Sequence, residues 1–170
     1  MKKYVILFLS IIFSFSAKAS NVPTEIGQYG DWTAYTVKEG RGRVCYMAST
    51  PKRDEGNYKK RGDIYAVVTH RPSDKSYNVV NFVAGYKYKE NSKVVVKVGT
   101  TSINNMFTNG ENAWAPDTQT DKKLVNIMRR GEKMTVEGTS FKGTKTKDTY
   151  SLKGFTNAYR AISAKCGYKL

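Results

Sequence analysis

Apolar and polar residues alternate along most of this chain, with the period of two that a half-buried β-strand requires. The alternation is clearest in SKVVVKVGT, where Val94, Val96 and Val98 share one face. It recurs in residues 80–84 and 133–137, and the stretches GDIYAVVTHR and RVCYMAST are rich in β-branched and aromatic residues. Because successive side chains of a strand point to opposite faces, each of these strands must bury one face against another layer.

Turn-forming clusters of glycine, asparagine, serine and lysine separate these runs, which gives eight or more short strands. Two segments depart from the alternation and have helical spacing instead. Residues 120–131 begin with acidic Asp121 near the helix start and end with two arginines and a glycine, and residues 156–166 form the second segment. The pattern predicts an all-β protein, a two-sheet antiparallel β-sandwich with one or two short helices.

The first twenty residues have the form of a secretory signal peptide. Lys2 and Lys3 precede an apolar run over residues 4–15, and Ala17-Lys18-Ala19 has the small-x-small pattern of a cleavage site. The apolar run is too short for a transmembrane helix, which needs about 20 residues. We predict a signal peptide over residues 1–19 and one exported domain over residues 20–170. The alternative is an uncleaved N-terminal anchor.

The two cysteines, Cys45 and Cys166, lie far apart in the sequence. They could form a redox pair, bind a metal, remain separate thiols or form one disulfide. No C-x-x-C motif is present, and two cysteines with one histidine do not supply the usual zinc ligands. In an oxidising compartment one disulfide is the simplest interpretation. Phe155, Tyr159 and Ile162 share an apolar helical stripe with Cys166, which predicts that this cysteine faces the core.

The net charge is strongly positive. The whole chain carries a formal charge of +15, and loss of Lys2, Lys3 and Lys18 with the predicted signal peptide would lower it to +12. Such a charge attracts anionic lipid headgroups, acidic glycans or nucleic acid, and export argues against nucleic acid as the partner. The alternative is a solvated basic surface with no specific partner.

Two short segments, EGNYKKRGD and GYKYKEN, interleave basic and aromatic residues. Side chains of these kinds stack on sugars and pair with phosphates, so both segments are candidates for binding an anionic surface. Alternatively, the tyrosines cap strand ends and the lysines keep strand edges from pairing with other chains. The candidate binding residues are Tyr58, Lys59, Lys60, Arg61, Tyr86, Lys87, Tyr88 and Lys89.

The sequence offers no arrangement typical of catalysis. His70 is the only histidine, and no G-x-S-x-G elbow accompanies it, so we expect a hydrogen-bonded structural residue. Phosphate-binding and dinucleotide-binding glycine motifs are absent. The carboxylates show no spacing that suggests an acid/base pair. They include Asp63, Asp117, Asp121 and Asp148. We therefore predict no catalytic residues, no metal site and no cofactor.

Four blocks of the sequence resemble the invasion-associated locus B family of exported proteins. They occur in the family's order, with similar spacing, and the likeness covers about residues 27–167. The blocks are YGDWTAY, VCYMASTPKRDEGNYKKRGDIYAVVTHRP, GENAWAPDTQTDKKLVNIMRRG and GTSFKGTKTKDTYSLKGFTNAYRAISAKCG. The resemblance implies an immunoglobulin-like β-sandwich without enzymatic activity or cofactor. It also implies a role, in some pathogens, in entering host cells, notably red blood cells. GYKYKENS departs from the family pattern, which has a glycine where this chain has Asn91.

These observations together predict an exported, non-enzymatic protein of the periplasm or the outer membrane and cell surface. It would assist host-cell, and specifically erythrocyte, invasion by binding a host surface, an anionic lipid or a glycan, with peripheral membrane contact. The alternative is a periplasmic structural or chaperone-like module that binds extended segments by strand addition. A glycan hydrolase would instead need a pair of carboxylates converging in a cleft.

Overall fold

A computed structural model describes residues 22–170 of the chain, so the predicted signal peptide lies outside the described residues. The described part is dominated by β-strands, and a 3-10 turn over Pro72–Asp74 joins two of them. The strands are β1 Thr24–Tyr29, β2 Trp32–Glu39, β3 Gly42–Ser49, β4 Arg53–Gly56, β5 Tyr65–Arg71, β6 Ser76–Val83, β7 Val94–Val98, β8 Thr101–Asn109, β9 Asn112–Trp114, β10 Lys133–Thr139 and β11 Lys145–Ser151. The helices are α1 Thr118–Arg130 and α2 Phe155–Lys165. In the part of the chain covered here, neither helix is long and apolar enough to cross a membrane.

All strand pairs are antiparallel, and the strands follow the order β1-β2-β3-β5-β6-β9-β8-β7-β10-β11-β4 in one hydrogen-bonded sheet. Strand β8 divides this sheet into two leaflets, a first one of β1, β2, β3, β5, β6 and β9 and a second one of β7, β10, β11 and β4. Its first part, Thr101 to Met106, pairs with β7, and its last part, Phe107 to Asn109, pairs with β9. The prediction of an all-β protein with two short helices is confirmed. The two layers are continuous through β8 and do not form separate sheets.

The core lies between the leaflets and under the helices, and the alternation read from the sequence places side chains there. On β7, the buried side chains are Val94, Val96 and Val98. On β10, the side chains that face the same core are Met134 and Val136. These residues belong to a single hydrophobic cluster with residues of the first leaflet and both helices. The period-two pattern therefore predicted the buried face of each of these strands correctly.

The turn between β1 and β2 crosses the start of α2 at very short range. The backbone N–H of Asp31 donates to the carbonyl of Lys153 at 3.0 Å, and Trp32 Nε1 donates to the carbonyl of Ser151 at 3.0 Å. Gly154 begins the helix with φ +89°, and a Cβ at this position would overlap the carbonyl oxygen of Tyr29. Only glycine fits both the left-handed backbone and the close approach.

Replacing Gly154 with alanine should lower the free energy of unfolding by about 3 kcal/mol, because strain at positive φ adds to displacement of the β1–β2 turn. Gly143 is a matched control, since its φ is +86° and a Cβ added there would have no atom within 4 Å. Gly143→Ala should cost only about 1 kcal/mol. Urea denaturation measures both changes. Equal losses would show that the contact with Tyr29 is unimportant.

Two acidic residues near the start of helix α1 hold it in place. Asp117 caps the helix by accepting a hydrogen bond from Thr120 N–H at 2.7 Å. Asp121 is buried and accepts one from the backbone N–H of Val80 on β6 at 2.9 Å. Burial raises the pKa of the Asp121 carboxyl to about 6, because its charged form loses contact with water.

The raised pKa of Asp121 predicts a specific pH dependence of stability. The folded state holds this proton more tightly than the unfolded chain, so the associated stability is present below about pH 4 and is lost as pH rises through 6. Between pH 4 and pH 7 the unfolding free energy of Asp121→Asn should therefore gain about 3 kcal/mol relative to the parent. The exposed Asp63→Asn controls for loss of a surface charge. A parent–variant difference that does not change with pH would contradict the linkage.

Candidate binding surface

Cys45 and Cys166 form the predicted disulfide, with an S–S distance of 2.04 Å and a Cα–Cα distance of 6.0 Å. Cys45 lies on β3, and Cys166 follows the last residue of α2. The bond therefore ties the C-terminal helix to the middle of the first leaflet. Among residues 22–170 there is no cluster of three or more histidine, cysteine and acidic residues that would suit a metal ion.

His70 is fully buried beside this disulfide, opposite Cys45 in the β3–β5 register. Its Nδ1 accepts a hydrogen bond from the backbone N–H of Asn78 at 3.0 Å, so the ring proton resides on Nε2, which lies 3.1 Å from Ser163 Oγ. Burial lowers the pKa of His70 to about 4. A neutral, satisfied and inaccessible imidazole joins β5, β6 and α2, which is the structural role expected from the sequence.

The two basic aromatic segments come together around the turn that joins β10 and β11. The second segment pairs with this turn through its backbone, because Phe141 N–H donates to the carbonyl of Lys87 at 2.8 Å and Lys89 N–H donates to the carbonyl of Thr139 at 2.9 Å. The first segment lies on the other side of the same turn. The turn therefore places Phe141 between the two segments, although the three stretches are distant in sequence.

Two open grooves flank Phe141, and it contributes to the wall of both. One, of about 380 Å³, is lined by Asn57, Tyr58, Lys59, Lys60, Arg61, Tyr86, Ser140, Phe141, Lys142, Thr144 and Thr146. The other, of about 750 Å³, is lined by Lys87, Tyr88, Lys89, Glu90, Asn91, Thr108, Asn109, Gly110 and Phe141. Every residue that the sequence marked as a candidate for binding lies beside one of these grooves.

We define the Phe141 surface as the exposed Phe141 side chain and the exposed lysines of the grooves around it. The lysines are Lys59, Lys60, Lys87, Lys89 and Lys142. Phe141 is 58% exposed, and Lys142 Nζ lies 5.6 Å from its ring centre. In the described part of the chain, none of these lysines forms an ion pair with a carboxylate. Their charge is therefore available to an external anion.

Two of the candidate binding residues are buried and do not belong to the Phe141 surface. The Arg61 side chain is 3% exposed, and Tyr88 is 5% exposed and forms part of the hydrophobic core. Arg61 and Tyr88 were predicted as candidates for binding an anionic surface, and their burial corrects this, because neither can contact such a surface directly. Arg61 lies inward because its ion-pair partner is buried. Tyr88 lies inward because side chains alternate between the two faces of an extended segment, so its neighbours Lys87 and Lys89 are exposed.

Arg61 forms a bidentate ion pair with Asp148 of β11. Nη1 and Nη2 donate to the two carboxylate oxygens at 2.6 Å each, and Nε donates to the carbonyl of Ala84 at 2.6 Å. The guanidinium carbon also lies 5.4 Å from the Tyr58 ring centre and 4.9 Å from that of Tyr86. Burial disfavours the charge of Arg61, but the Asp148 carboxylate raises the pKa of the guanidinium above its ordinary value.

The hydroxyl groups of the partly buried tyrosines are also occupied. Tyr58 Oη donates to Asp54 Oδ2 at 2.7 Å, and Tyr86 Oη is hydrogen-bonded to Thr146 Oγ1 at 2.6 Å. These contacts hold the base of the first groove in one arrangement. Sequence reasoning found the segment that carries Arg61 but missed Asp148 as its partner, because the two residues are 87 positions apart.

The fold and the site define a β-sandwich-like domain with one internal disulfide and a lysine-rich surface. The family model for the invasion associated locus B (IalB) protein matches residues 32–163, and the chain belongs to this family. The family resemblance read from the sequence is therefore confirmed.

A solved structure has the same fold. The crystal structure of invasion associated protein B from Bartonella henselae matches with a TM-score of 0.54 and 21% sequence identity, and the match covers 82% of this chain and 95% of that one. At this identity the match establishes the fold alone. No curated protein matches the sequence.

Proposed function

We propose that this protein is an exported, non-enzymatic component of the cell envelope that binds an anionic surface and assists host-cell invasion. Three facts support this proposal. The family is named for invasion, the disulfide is of the kind that persists in oxidising compartments, and five exposed lysines lie together on the Phe141 surface. The predicted location is the periplasm or the outer surface of the cell.

The observation that carries this proposal is the convergence of unpaired lysines on the Phe141 surface. They come from three separate stretches of chain, which only the fold brings together. Clustered charges of one sign raise the local concentration of oppositely charged partners and accelerate encounter. Because the lysines are exposed, salt should screen the attraction strongly.

Neutralising Lys59, Lys60, Lys87 and Lys89 to glutamine should weaken binding to isolated erythrocyte membranes by at least about tenfold at low salt. The control variant neutralises four exposed lysines elsewhere, Lys122, Lys123, Lys133 and Lys165, and so has the same net charge. Arg61 is left intact in both, since its loss would disturb the fold. Membrane pelleting over a salt series measures binding. Equal weakening by both variants would reduce the effect to net charge and contradict a specific surface.

Location is tested separately, by protease treatment of intact cells with a periplasmic protein as the leakage control. Degradation of this protein with an intact control would support direct contact with the host. Protection would favour the second candidate function, a periplasmic module that binds extended segments. That candidate is supported by the two edges of the sheet, because within residues 22–170 β1 and β4 have no further strand beside them and could pair with a strand of another chain.

A further inference from the structure

We propose that the Phe141 surface docks on an anionic lipid bilayer, with the Phe141 side chain inserted into the headgroup region and the surrounding lysines on lipid phosphates. This inference rests on the proposed function and names its partner. It follows from the geometry of the turn that carries Phe141, from the exposure of the Phe141 ring and from the lysines that surround this ring.

The turn that carries Phe141 is well fixed, so the exposure of the ring is built into the fold. Ser140 N–H donates to the carbonyl of Thr144 at 2.8 Å, Gly143 N–H donates to the carbonyl of Ser140 at 2.8 Å, and Thr144 N–H donates to Ser140 Oγ at 3.1 Å. The bond from Phe141 N–H to the carbonyl of Lys87 anchors the turn to the neighbouring segment. A large apolar side chain is thus held outward at little further cost in conformational entropy on binding.

Phe141 differs from the other exposed aromatic residues in the described part of the chain. Phe107 is 50% exposed, but its ring stacks on Trp114 with centroids 5.5 Å apart, and Tyr65 is less exposed at 37%. Phe141 has no aromatic partner within residues 22–170, and the cation over its ring belongs to the adjacent Lys142. Its apolar surface therefore remains available to an external apolar phase.

The lysines surround Phe141 in the manner that an interfacial membrane site requires. Lysine side chains lay their aliphatic stems along apolar surface and keep their ammonium groups in the aqueous layer. One apolar contact plus several positive charges supplies the two signals that stable peripheral attachment to anionic lipid needs. Lys87 and Lys89 lie on one side of Phe141, and Lys59 and Lys60 lie on the other.

A lipid surface fits this geometry better than an acidic glycan does. Sugars stack on open aromatic faces within a groove, but the guanidinium of Arg61 already lies over the Tyr58 and Tyr86 rings of the first groove. Phe141 instead lies at the tip of a turn between the two grooves. A projecting apolar tip suits insertion into a fluid interface, whereas a chain of sugars would have to bind along the grooves.

The test uses the full mature protein and vesicles of phosphatidylcholine with phosphatidylglycerol, some carrying bromine atoms on the acyl chains. In Phe141→Trp, the new indole should shift its emission to shorter wavelength and be quenched by the brominated lipid, relative to the parent protein. Phe107→Trp is the matched control, because Phe107 is similarly exposed but lies outside both grooves. It should show neither change.

Phe141→Ala should weaken sedimentation with these vesicles by about five- to tenfold, and each lysine neutralised should weaken it by about fivefold. Because Phe141 is exposed, Phe141→Ala should keep the parent's circular dichroism and denaturation midpoint. Vesicle binding without quenching of Phe141→Trp would overturn insertion. Two outcomes would overturn the lipid partner and leave the proposed function standing. In one, the protein binds erythrocyte membranes through its lysines but does not bind the vesicles. In the other, heparin displaces the protein from erythrocyte membranes and the lipid vesicles do not. If the lysines contributed to binding of neither the erythrocyte membranes nor the vesicles, the lipid partner and the proposed function would both be overturned.

Discussion

Replacing Arg61 with glutamine should lower the free energy of unfolding by about 3–5 kcal/mol, because it leaves the Asp148 carboxylate buried without a compensating charge. Asp148 is 3% exposed, and both of its oxygens accept hydrogen bonds from Arg61 at 2.6 Å. The variant also frees the carbonyl of Ala84 and leaves space between the Tyr58 and Tyr86 rings. Urea denaturation followed by circular dichroism measures the loss, with matching slopes required for a valid comparison.

The neighbouring Lys60→Gln is the control, since it removes the same charge from an exposed position and should change stability by less than about 0.5 kcal/mol. The loss in Arg61→Gln should be smaller at low pH, where Asp148 can be protonated. Replacing both partners with apolar residues, as in Arg61→Met with Asp148→Leu, should recover much of the stability. If Arg61→Gln were as stable as Lys60→Gln, the ion pair between Arg61 and Asp148 would not support the fold.

Removing the disulfide should have the other large effect. It closes a loop across a sequence separation of 121, and the chain-entropy model assigns such a loop about 5 kcal/mol. Cys45→Ala with Cys166→Ala should therefore lower the free energy of unfolding by up to about 5 kcal/mol. Denaturation of the parent with and without reductant measures the same quantity independently. The double variant is its own control, because reductant should leave its stability unchanged.

The disulfide should act mainly on the unfolded chain, since α2 has other attachments to the first leaflet. Phe155 packs edge-to-face on Trp32 with centroids 4.9 Å apart, and Tyr159 Oη donates to Asn78 Oδ1 at 2.5 Å. We therefore expect the reduced protein to keep its secondary structure at moderate temperature while its denaturation midpoint falls. A parent protein whose midpoint is insensitive to reductant would contradict this account.

The candidate site was only half visible in the sequence. Four lysines stand out because each lies within two residues of a tyrosine in a short segment. They are Lys59, Lys60, Lys87 and Lys89. Phe141 was missed, because FKGTKTKD reads as an ordinary turn cluster. The one available signal was the presence of a large apolar residue in a stretch otherwise made of glycine, lysine, threonine and one aspartate. Such residues are common singly on surfaces, so the signal acquires meaning only with the neighbouring lysines in place.

The sequence by itself determined the features that depend on neighbours within a few positions. Alternation specified which face of β7 and β10 is buried, since the side-chain period of a strand is two. Asp121 and the arginines at the end of α1 marked a helix. Two cysteines after a predicted signal peptide were enough to predict the disulfide, because an oxidising compartment leaves few alternatives.

Only the tertiary structure decided the features that join distant segments. The pairing of β8 with both β7 and β9 makes one continuous sheet from two layers, and no local pattern encodes it. Arg61 looks like its lysine neighbours in sequence, yet it is buried because Asp148 lies opposite in the fold. Local periodicity indicates the direction of a side chain relative to its own strand. The partner of that side chain depends on which strands become neighbours, and the packing of the whole core determines this.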